Sequence, residues 1–180
     1  ASVGGTINFV CCSVQTEGDG ESRGFAMSAG NGTTTIGVTT RRPVLSIRPK
    51  ATFNSLTNRA HIEIIDFILS VQTNACFYEL VVGGTLTGAA FASVATDSVV
   101  ERDVSATAIS GGMVLTSGYA AAGSGANQNV RQGEADIRNP LVLSQIDALT
   151  ATQTPFTIVC TSLSGTSNIG VSLNWQEQTN

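Results

Sequence analysis

The stretch HIEIIDFILSVQTNACFYELVV, residues 61–82, decides the fold class. Its apolar residues recur with a period of two, which is the spacing of a β-strand with one buried face. The phase of this alternation changes between Ile64 and Ile65, which predicts a β-bulge or a stretch buried on both faces. A helix is the competing interpretation, but the β-branched content and the flanking turn residues favour a strand.

Two strands are expected within this stretch, over 61–71 and 75–82, and the short link between them makes a hairpin a candidate. Gly83 and Gly84 then end the second strand. Further along the chain, the pair Gly111 and Gly112 is typical of a primed two-residue turn. It predicts a second hairpin, between 98–109 and 113–119.

The same pattern predicts strands at 155–163 and 169–177 and shorter extended pieces elsewhere, nine to eleven in all, with weak helical signals only near 144–150. Pro43 and Pro49 cannot donate to a sheet ladder, so 43–50 is expected at a sheet edge or along the surface. The residues expected in the core lie on the apolar phase of their strands, and they are Phe67, Leu69, Ile158, Val171 and Trp175.

Turn residues recur about every 8 to 12 positions, which is typical of an all-β sandwich or barrel. The predicted fold class is an all-β, antiparallel β-sandwich, jelly-roll-like, with little or no helix. Residues 1–22, which include the strand candidate INFVCCSV, are expected to form an N-terminal arm or first strand. Residues 23–180 are expected to form a single β-sandwich domain.

Composition narrows the function classes. The chain has 180 residues, 42% of them hydrophobic and 12% charged, with a net charge of −4. This balance disfavours disorder and a nucleic-acid-binding domain. No apolar run is long enough to span a membrane. ASVGGTINFV lacks the basic and apolar regions of a signal peptide, so we expect cytoplasmic synthesis.

Catalytic and metal motifs are weak. His61 is the single histidine, and no serine or cysteine motif surrounds it, so a surface strand-end role is expected. Glu17, Asp19 and Glu21 resemble a calcium loop only faintly and are interpreted as a turn. Glu101 and Asp103 are expected on one face of a strand, with Arg102 opposite, in a structural role. The sequence therefore predicts no enzyme activity, no cofactor and no metal.

Four cysteines are present: Cys11, Cys12, Cys76 and Cys160. None has the spacing of a zinc or redox motif. We expect reduced, buried thiols that act as small hydrophobes, with one disulfide from Cys11 or Cys12 to another strand left open as the alternative.

Positive charge is concentrated in RRPVLSIRPKATFNSLTNR, residues 41–59. This segment carries five of the nine basic residues and no acid, so it has a charge of +5, and the remaining four basic and thirteen acidic residues give −9. Internal pairing with acids, docking onto an acidic neighbour and contact with nucleic acid are the three interpretations. Arginine is well suited to paired interface contacts. The interface candidates are Arg41, Arg42, Arg48, Lys50 and Arg59.

Three stretches resemble virion structural proteins of tailed bacteriophages: RRPVLSIRPKATFNSLTNRAHIEI, DSVVERDVSATAISGGMVLTSGY and PFTIVCTSLSGTSNIGVSLNWQEQ. In that group an R-x-P-[VIL]-L-S-I-R-P-K segment, an S-A-T-A-I-S-G-G hairpin and an S-G-T-[ST]-N turn before a tryptophan strand recur. The resemblance extends from about residue 23. These motifs are structural and not catalytic.

The resemblance implies a capsid decoration (cement) protein on the virion surface that binds and stabilises the phage head as a homo-oligomer, trimer or dimer. Its partner would be the major capsid protein or another virion protein. The alternative is a head or tail fibre, or a receptor-binding module contacting host glycans. An enzyme or lectin outside any virus is a third, disfavoured interpretation.

Overall fold

A computed structural model of the chain describes residues 24–123, 129–132, 141–143 and 153–178. These described residues contain no helix and are 63% strand. The strands, in chain order, are β1 (Phe25–Gly30), β2 (Ile36–Val38), β3 (Arg42–Pro49), β4 (Thr52–Phe53), β5 (Leu56–Thr57), β6 (His61–Gln72), β7 (Cys76–Val82), β8 (Thr85–Thr87), β9 (Ala92–Ser93), β10 (Val100–Asp103), β11 (Ala108–Ser110), β12 (Met113–Ala120), β13 (Asn129–Gln132), β14 (Leu141–Leu143), β15 (Phe156–Ser162) and β16 (Ser167–Gln178).

Two antiparallel sheets make up the fold. Sheet I has the order β1-β16-β6-β13, with β14 also pairing β6 and β2 pairing β16. Sheet II has the order β12-β7-β15-β3-β10-β9, and two small ribbons join β8 to β11 and β4 to β5. Consecutive strands such as β2 and β3, β6 and β7, or β15 and β16 lie in opposite sheets. The all-β, sandwich-like fold class is thereby confirmed.

The core lies between the inward faces of the two sheets. β16 alternates buried and half-buried residues along its whole length, so Val171, Leu173 and Trp175 share the inner face. The Phe67 ring of sheet I meets the Tyr78 ring of sheet II edge-on at 5.6 Å. All five residues predicted for the core are buried. Each contributes roughly 1.5–3 kcal/mol of transfer free energy.

The predicted β-bulge in the longest strand is confirmed. Trp175 of β16 lies opposite Ile64 of β6, and the preceding residue, Asn174, lies opposite Asp66. Ile65 is therefore the extra residue of the bulge, and the phase of burial changes beside it. One inserted residue lets both halves of a twelve-residue strand keep an apolar face towards the core.

The predicted hairpin between 61–71 and 75–82 is wrong. Both strands form, but β6 belongs to sheet I and β7 to sheet II. The link passes through Thr73, a left-handed residue with φ of 76°. A strand pair that buries its apolar faces against each other gains more from crossing to the opposite sheet than from pairing edge to edge.

The second predicted hairpin, between 98–109 and 113–119, is also wrong. β12 pairs with β7 and β11 pairs with β8, so the two Gly-Gly pairs, 83–84 and 111–112, face each other across one long ribbon. All four glycines have positive φ. A Cβ on Gly112 would lie 2.6 Å from a Val81 methyl. The glycines let both chains bend together at one level, because glycine adopts positive φ without strain and lacks the Cβ that would clash at Gly112.

The edge position predicted for 43–50 is wrong as well. β3 lies inside sheet II, between β15 and β10, and most of it is buried. Its prolines occupy two tolerated positions. Pro43 adjoins a bulge, because Val159 pairs with Pro43 while Ile158 pairs with Leu45. Pro49 is the last residue of the strand, so neither proline interrupts the central ladder.

Predictions for residues 1–23 and 144–150 lie outside the described residues, as does the strand candidate INFVCCSV. The domain boundary near residue 22 therefore stays a prediction. Among the shorter extended pieces expected from the sequence, PLVLS at 140–144 is present as β14. The number of strands exceeds the predicted nine to eleven because several ladders are only two or three residues long, too short to show a period.

Candidate functional site

The first half of the basic segment is held by carboxylates within the fold. Arg41 Nε lies 2.7 Å from Glu79 Oε2, and its Nη1 donates to the Ile109 carbonyl at 3.2 Å. Arg48 Nε lies 2.9 Å from Glu101 Oε2. The Arg48 guanidinium also stacks on the Phe91 ring at 3.9 Å. For these two arginines the structure agrees with internal pairing.

Arg42 lies between two of the interpretations, internal pairing and docking onto an acidic neighbour. It is half-buried, and its Nη1 donates to the Gly37 carbonyl at 3.2 Å. Its Nε is buried without a hydrogen-bond partner in the part of the chain that the structure describes. No carboxylate among the described residues lies within ion-pairing distance of it.

The second half of the basic segment forms a projecting unit, residues 50–60, which we call the hairpin segment. β4 and β5 pair through a two-residue turn in which Asn54 and Ser55 both have positive φ, the geometry of a type I′ turn. The Leu56 side chain at its end is 72% exposed. A cavity of about 590 Å³ lies under this turn and is lined by residues 53, 54 and 56–60.

The hairpin segment is anchored at its base by Asn58, which is 3% exposed. The Asn58 side-chain amide donates to the Lys50 and Val99 carbonyls, both at 3.0 Å, and its oxygen accepts from the Ala60 amide at 3.0 Å. This one side chain joins both ends of the segment to Val99, the residue just before β10. The exposed tip therefore stands on a fixed base.

The cations of the hairpin segment are placed differently from those of β3. Lys50 Nζ donates to the Ala95 carbonyl at 3.3 Å and lies 5.9 Å from the centre of the Phe53 ring. Arg59 is exposed and forms no hydrogen bond or ion pair with any described residue. Residues 50–60 contain no acid. The segment thus combines positive charge with exposed apolar groups.

A second exposed surface is the outer edge of β12. Met113, Val114, Leu115 and Tyr119 are 61%, 46%, 40% and 72% exposed. The Tyr119 ring packs against Phe77 of β7 at 5.2 Å. On its other side β12 pairs with no described strand. Four large apolar side chains on one open edge mark a contact surface.

The carboxylates of the VERDV motif have structural partners, and they do not share a solvent face. Glu101 pairs with Arg48, whereas Asp103 is buried. The side chain of Arg102 donates to the Gly30 carbonyl of β1. The motif therefore ties β10 to three neighbouring parts of the fold. Glu101 and Asp103 alternate with Arg102, which reaches sheet I, so the register agrees with the two carboxylates lying on one side of the strand, where the 88–106 loop covers Asp103.

Asp103 organises that loop. Burial alone would raise the pKa of Asp103, but the Ser105 hydroxyl and the backbone amides of Ala90, Ser105 and Ala106 hold the pKa below its usual value. Each of these donors hydrogen-bonds a carboxylate oxygen of Asp103. Charge-assisted bonds of this kind are stronger than neutral ones.

Sequence reasoning missed Glu177, a carboxylate 2% exposed. It accepts hydrogen bonds from the Ser98 hydroxyl at 2.6 Å, the Val99 amide at 2.9 Å and Trp175 Nε1 at 2.9 Å. Its position could have been found, because it continues the inward phase of Val171, Leu173 and Trp175. The contacts join sheet I to Ser98 and Val99, the two residues before β10, and Val99 is also the residue that Asn58 of the hairpin segment contacts.

The remaining chemical candidates are buried or lie elsewhere. Cys76 and Cys160 are free and buried, as expected. The hydrogen bond between these thiols lowers the pKa of Cys76 and, together with burial, raises the pKa of Cys160. His61 begins β6 and is half-buried. Cys11, Cys12, Glu17, Asp19 and Glu21 lie outside the described residues, within which no group of three or more histidine, cysteine or acidic residues could hold a metal.

No family model, curated protein or solved structure matches this chain. None of the described residues belongs to a helix with the length and apolarity needed to cross a bilayer. The two exposed surfaces, the hairpin segment and the β12 edge, are therefore the candidate functional sites.

Proposed function

We propose that the protein is a non-enzymatic structural protein of a tailed-phage virion, a decoration protein that binds and stabilises the head as a homo-oligomer. The observation that carries this proposal is the hairpin segment. It presents Arg59 and Lys50 beside the exposed Leu56 side chain, on a base fixed by Asn58. The resemblance of residues 41–59 to virion proteins points to the same surface.

The chemistry of the hairpin segment specifies its partner. An exposed guanidinium forms paired hydrogen bonds with a carboxylate, and an isolated apolar tip fits a shallow apolar pocket. We therefore expect an acidic surface of the major capsid protein, or of another virion protein, with an apolar depression that accepts Leu56. Arg41 and Arg48 take no part, because their carboxylate partners lie within the same chain.

The test is co-sedimentation of purified variants with phage heads that lack the protein. Arg59→Glu reverses the exposed charge, and Leu56→Ser removes the apolar tip. Each should weaken particle binding by about tenfold or more, while the thermal midpoint of the isolated protein stays near that of the wild type. Leu163→Ser is the matched control. Leu163 is 54% exposed and follows β15, at the end of the sandwich away from His61.

Three outcomes separate the interpretations. Loss of binding in the two hairpin variants, with the control unchanged, supports docking through the hairpin segment. Wild-type binding by both hairpin variants would overturn the proposed docking surface. A particle gel that shows only a few copies per virion would instead favour the fibre or receptor-binding alternative, because a decoration protein is present in many copies.

A further inference from the structure

The outer edge of β12 carries an inference of its own. Edge strands in natural proteins are guarded by lysine, by proline or by a covering segment, because their free N–H and C=O groups accept another strand. β12 reads MVLTSGYA and has neither a charged residue nor a proline. No described strand covers it. Its protective feature is a single bulge, where the register against β7 shifts around Leu115.

The side chains of β12 are suited to a second copy of the same strand. In an antiparallel pair about a twofold axis, the first half of one strand lies against the second half of the other. The first half carries the bulky side chains Met113, Val114 and Leu115. In the second half Ala120 is buried and Gly118 lies against the Tyr78 side chain, so Tyr119 is the exposed apolar residue there. The exposed apolar side chains of the first half would therefore meet the Tyr119 ring of the other copy across the axis.

Electrostatics permit this self-association. A second copy brings identical charges to the interface, so a strand with like charges would repel itself. β12 has none. On the neighbouring strand β7, Glu79 lies opposite Ser117, and its charge is already offset by Arg41 at 2.7 Å. The edge is thus close to neutral, which suits a copy of itself better than a strongly acidic or basic partner.

We propose that the protein forms a twofold dimer in which β12 of one copy pairs antiparallel with β12 of the other, so that the two copies of sheet II become one continuous sheet. Thr116 and Ser117 lie at the axis, and the backbone of the strand on either side of them supplies the hydrogen bonds. Met113, Val114 and Tyr119 supply the apolar contact. This dimer would be the oligomer of the proposed function.

The experiment is sedimentation equilibrium of the isolated full-length protein and three variants. Ser117→Lys places like charges beside the twofold axis, and Met113→Lys puts a charge into the apolar contact at each end, so each should raise the dimer dissociation constant by at least about tenfold. The control is Leu56→Lys, the same kind of change at an exposed apolar residue on the hairpin segment. It should leave the dimer intact.

Folding and position are checked on the same samples. Far-ultraviolet circular dichroism should be identical for all four proteins, and amide exchange of residues 113–120 should slow as the wild-type concentration rises. A wild type that stays monomeric, or a dimer that survives both β12 variants, would overturn the inference. A monomer that still binds phage heads would leave the docking proposal in place, whereas a dimer that fails to bind heads would remove only that proposal.

Discussion

The two halves of the basic segment have similar composition and opposite environments. Residues 42–49 form the interior strand β3. Arg41 just before it and Arg48 within it are held by Glu79 of β7 and Glu101 of β10. Residues 50–60 leave the sheet, form a small hairpin and expose Arg59 and Leu56. A cluster of charge in the sequence is therefore not a charged patch. The strand that carries a cation decides whether an acid can reach it.

The difference follows from the sheet register. In β3, Arg48 lies opposite Glu101 of β10, so the ladder brings the two side chains together. Opposite charges in cross-strand pairs stabilise a sheet by a few tenths to about 1 kcal/mol. In the hairpin segment β4 and β5 pair only with each other, and neither contains an acid. Arg59 has no hydrogen-bond or ion-pair partner among the described residues, which suits it to a partner molecule.

The largest expected effect comes from Asp103, because β10 supports both halves. β10 carries the partner of Arg48, and Val99, the residue just before β10, holds Asn58 through its carbonyl. Asp103→Ala removes the acceptor of several hydrogen bonds to a buried carboxylate, and it should lower the free energy of unfolding by about 3–5 kcal/mol. Chemical denaturation measures this, and a loss below about 1 kcal/mol would contradict the assignment.

The same carboxylate gives a pH test with a definite sign. The pKa of Asp103 is lower in the folded protein than in the unfolded chain, where an aspartate has a pKa of about 3.9. Its contribution is therefore fully present above that unfolded value and is lost as the pH falls through the folded value. The stability difference between wild type and Asp103→Asn should shrink on acidification through this range, and should be constant above about pH 6.

A smaller effect is expected from Asn58→Ala, which affects the exposed half alone. The substitution deletes three hydrogen bonds and removes the Asn58 acceptor of the buried Ala60 amide, at a cost of about 2–4 kcal/mol. Amide exchange should accelerate across residues 50–60, while β3 keeps its protection. Equal acceleration in both halves would show that the hairpin segment and the interior strand are not separate units.

Strand content and the inner face of β16 could be predicted from the sequence because period-two patterning is a local property. The partner of each strand could not, since the same alternation suits a hairpin and a crossing between sheets. Gly111 and Gly112 show this well. Their positive φ was predictable. Whether they close a hairpin or bend a long ribbon depends on Gly83 and Gly84, which lie between β7 and β8 and face them on the paired chain.

The site shows the same limit. The basic cluster could be located in the sequence, but its division could not, because Glu79 and Glu101 are distant in sequence from Arg41 and Arg48. The prolines of β3 were misleading for a related reason. A bulge beside Pro43 and the end of the strand at Pro49 let an interior strand carry both residues. The hairpin turn at Asn54 and Ser55 went unpredicted because its strands have only two residues each.

The smallest expected effects separate the two halves most directly, through the pair Arg48→Ala and Arg59→Ala. Arg48→Ala removes an ion pair with Glu101 and a cation–π contact with Phe91, so it should destabilise the isolated protein by about 1–2 kcal/mol. Arg59→Ala removes no contact with a described residue and should change stability by less than about 0.5 kcal/mol. Binding to phage heads should rank the other way, with Arg59→Ala the weaker binder. Raising the salt concentration should narrow the binding difference between wild type and Arg59→Ala, because an exposed charge is screened within about 8 Å at physiological ionic strength. If both variants lost the same stability and the same binding, the charge cluster would act as one unit, and the contrast between an interior half and an exposed half would be wrong.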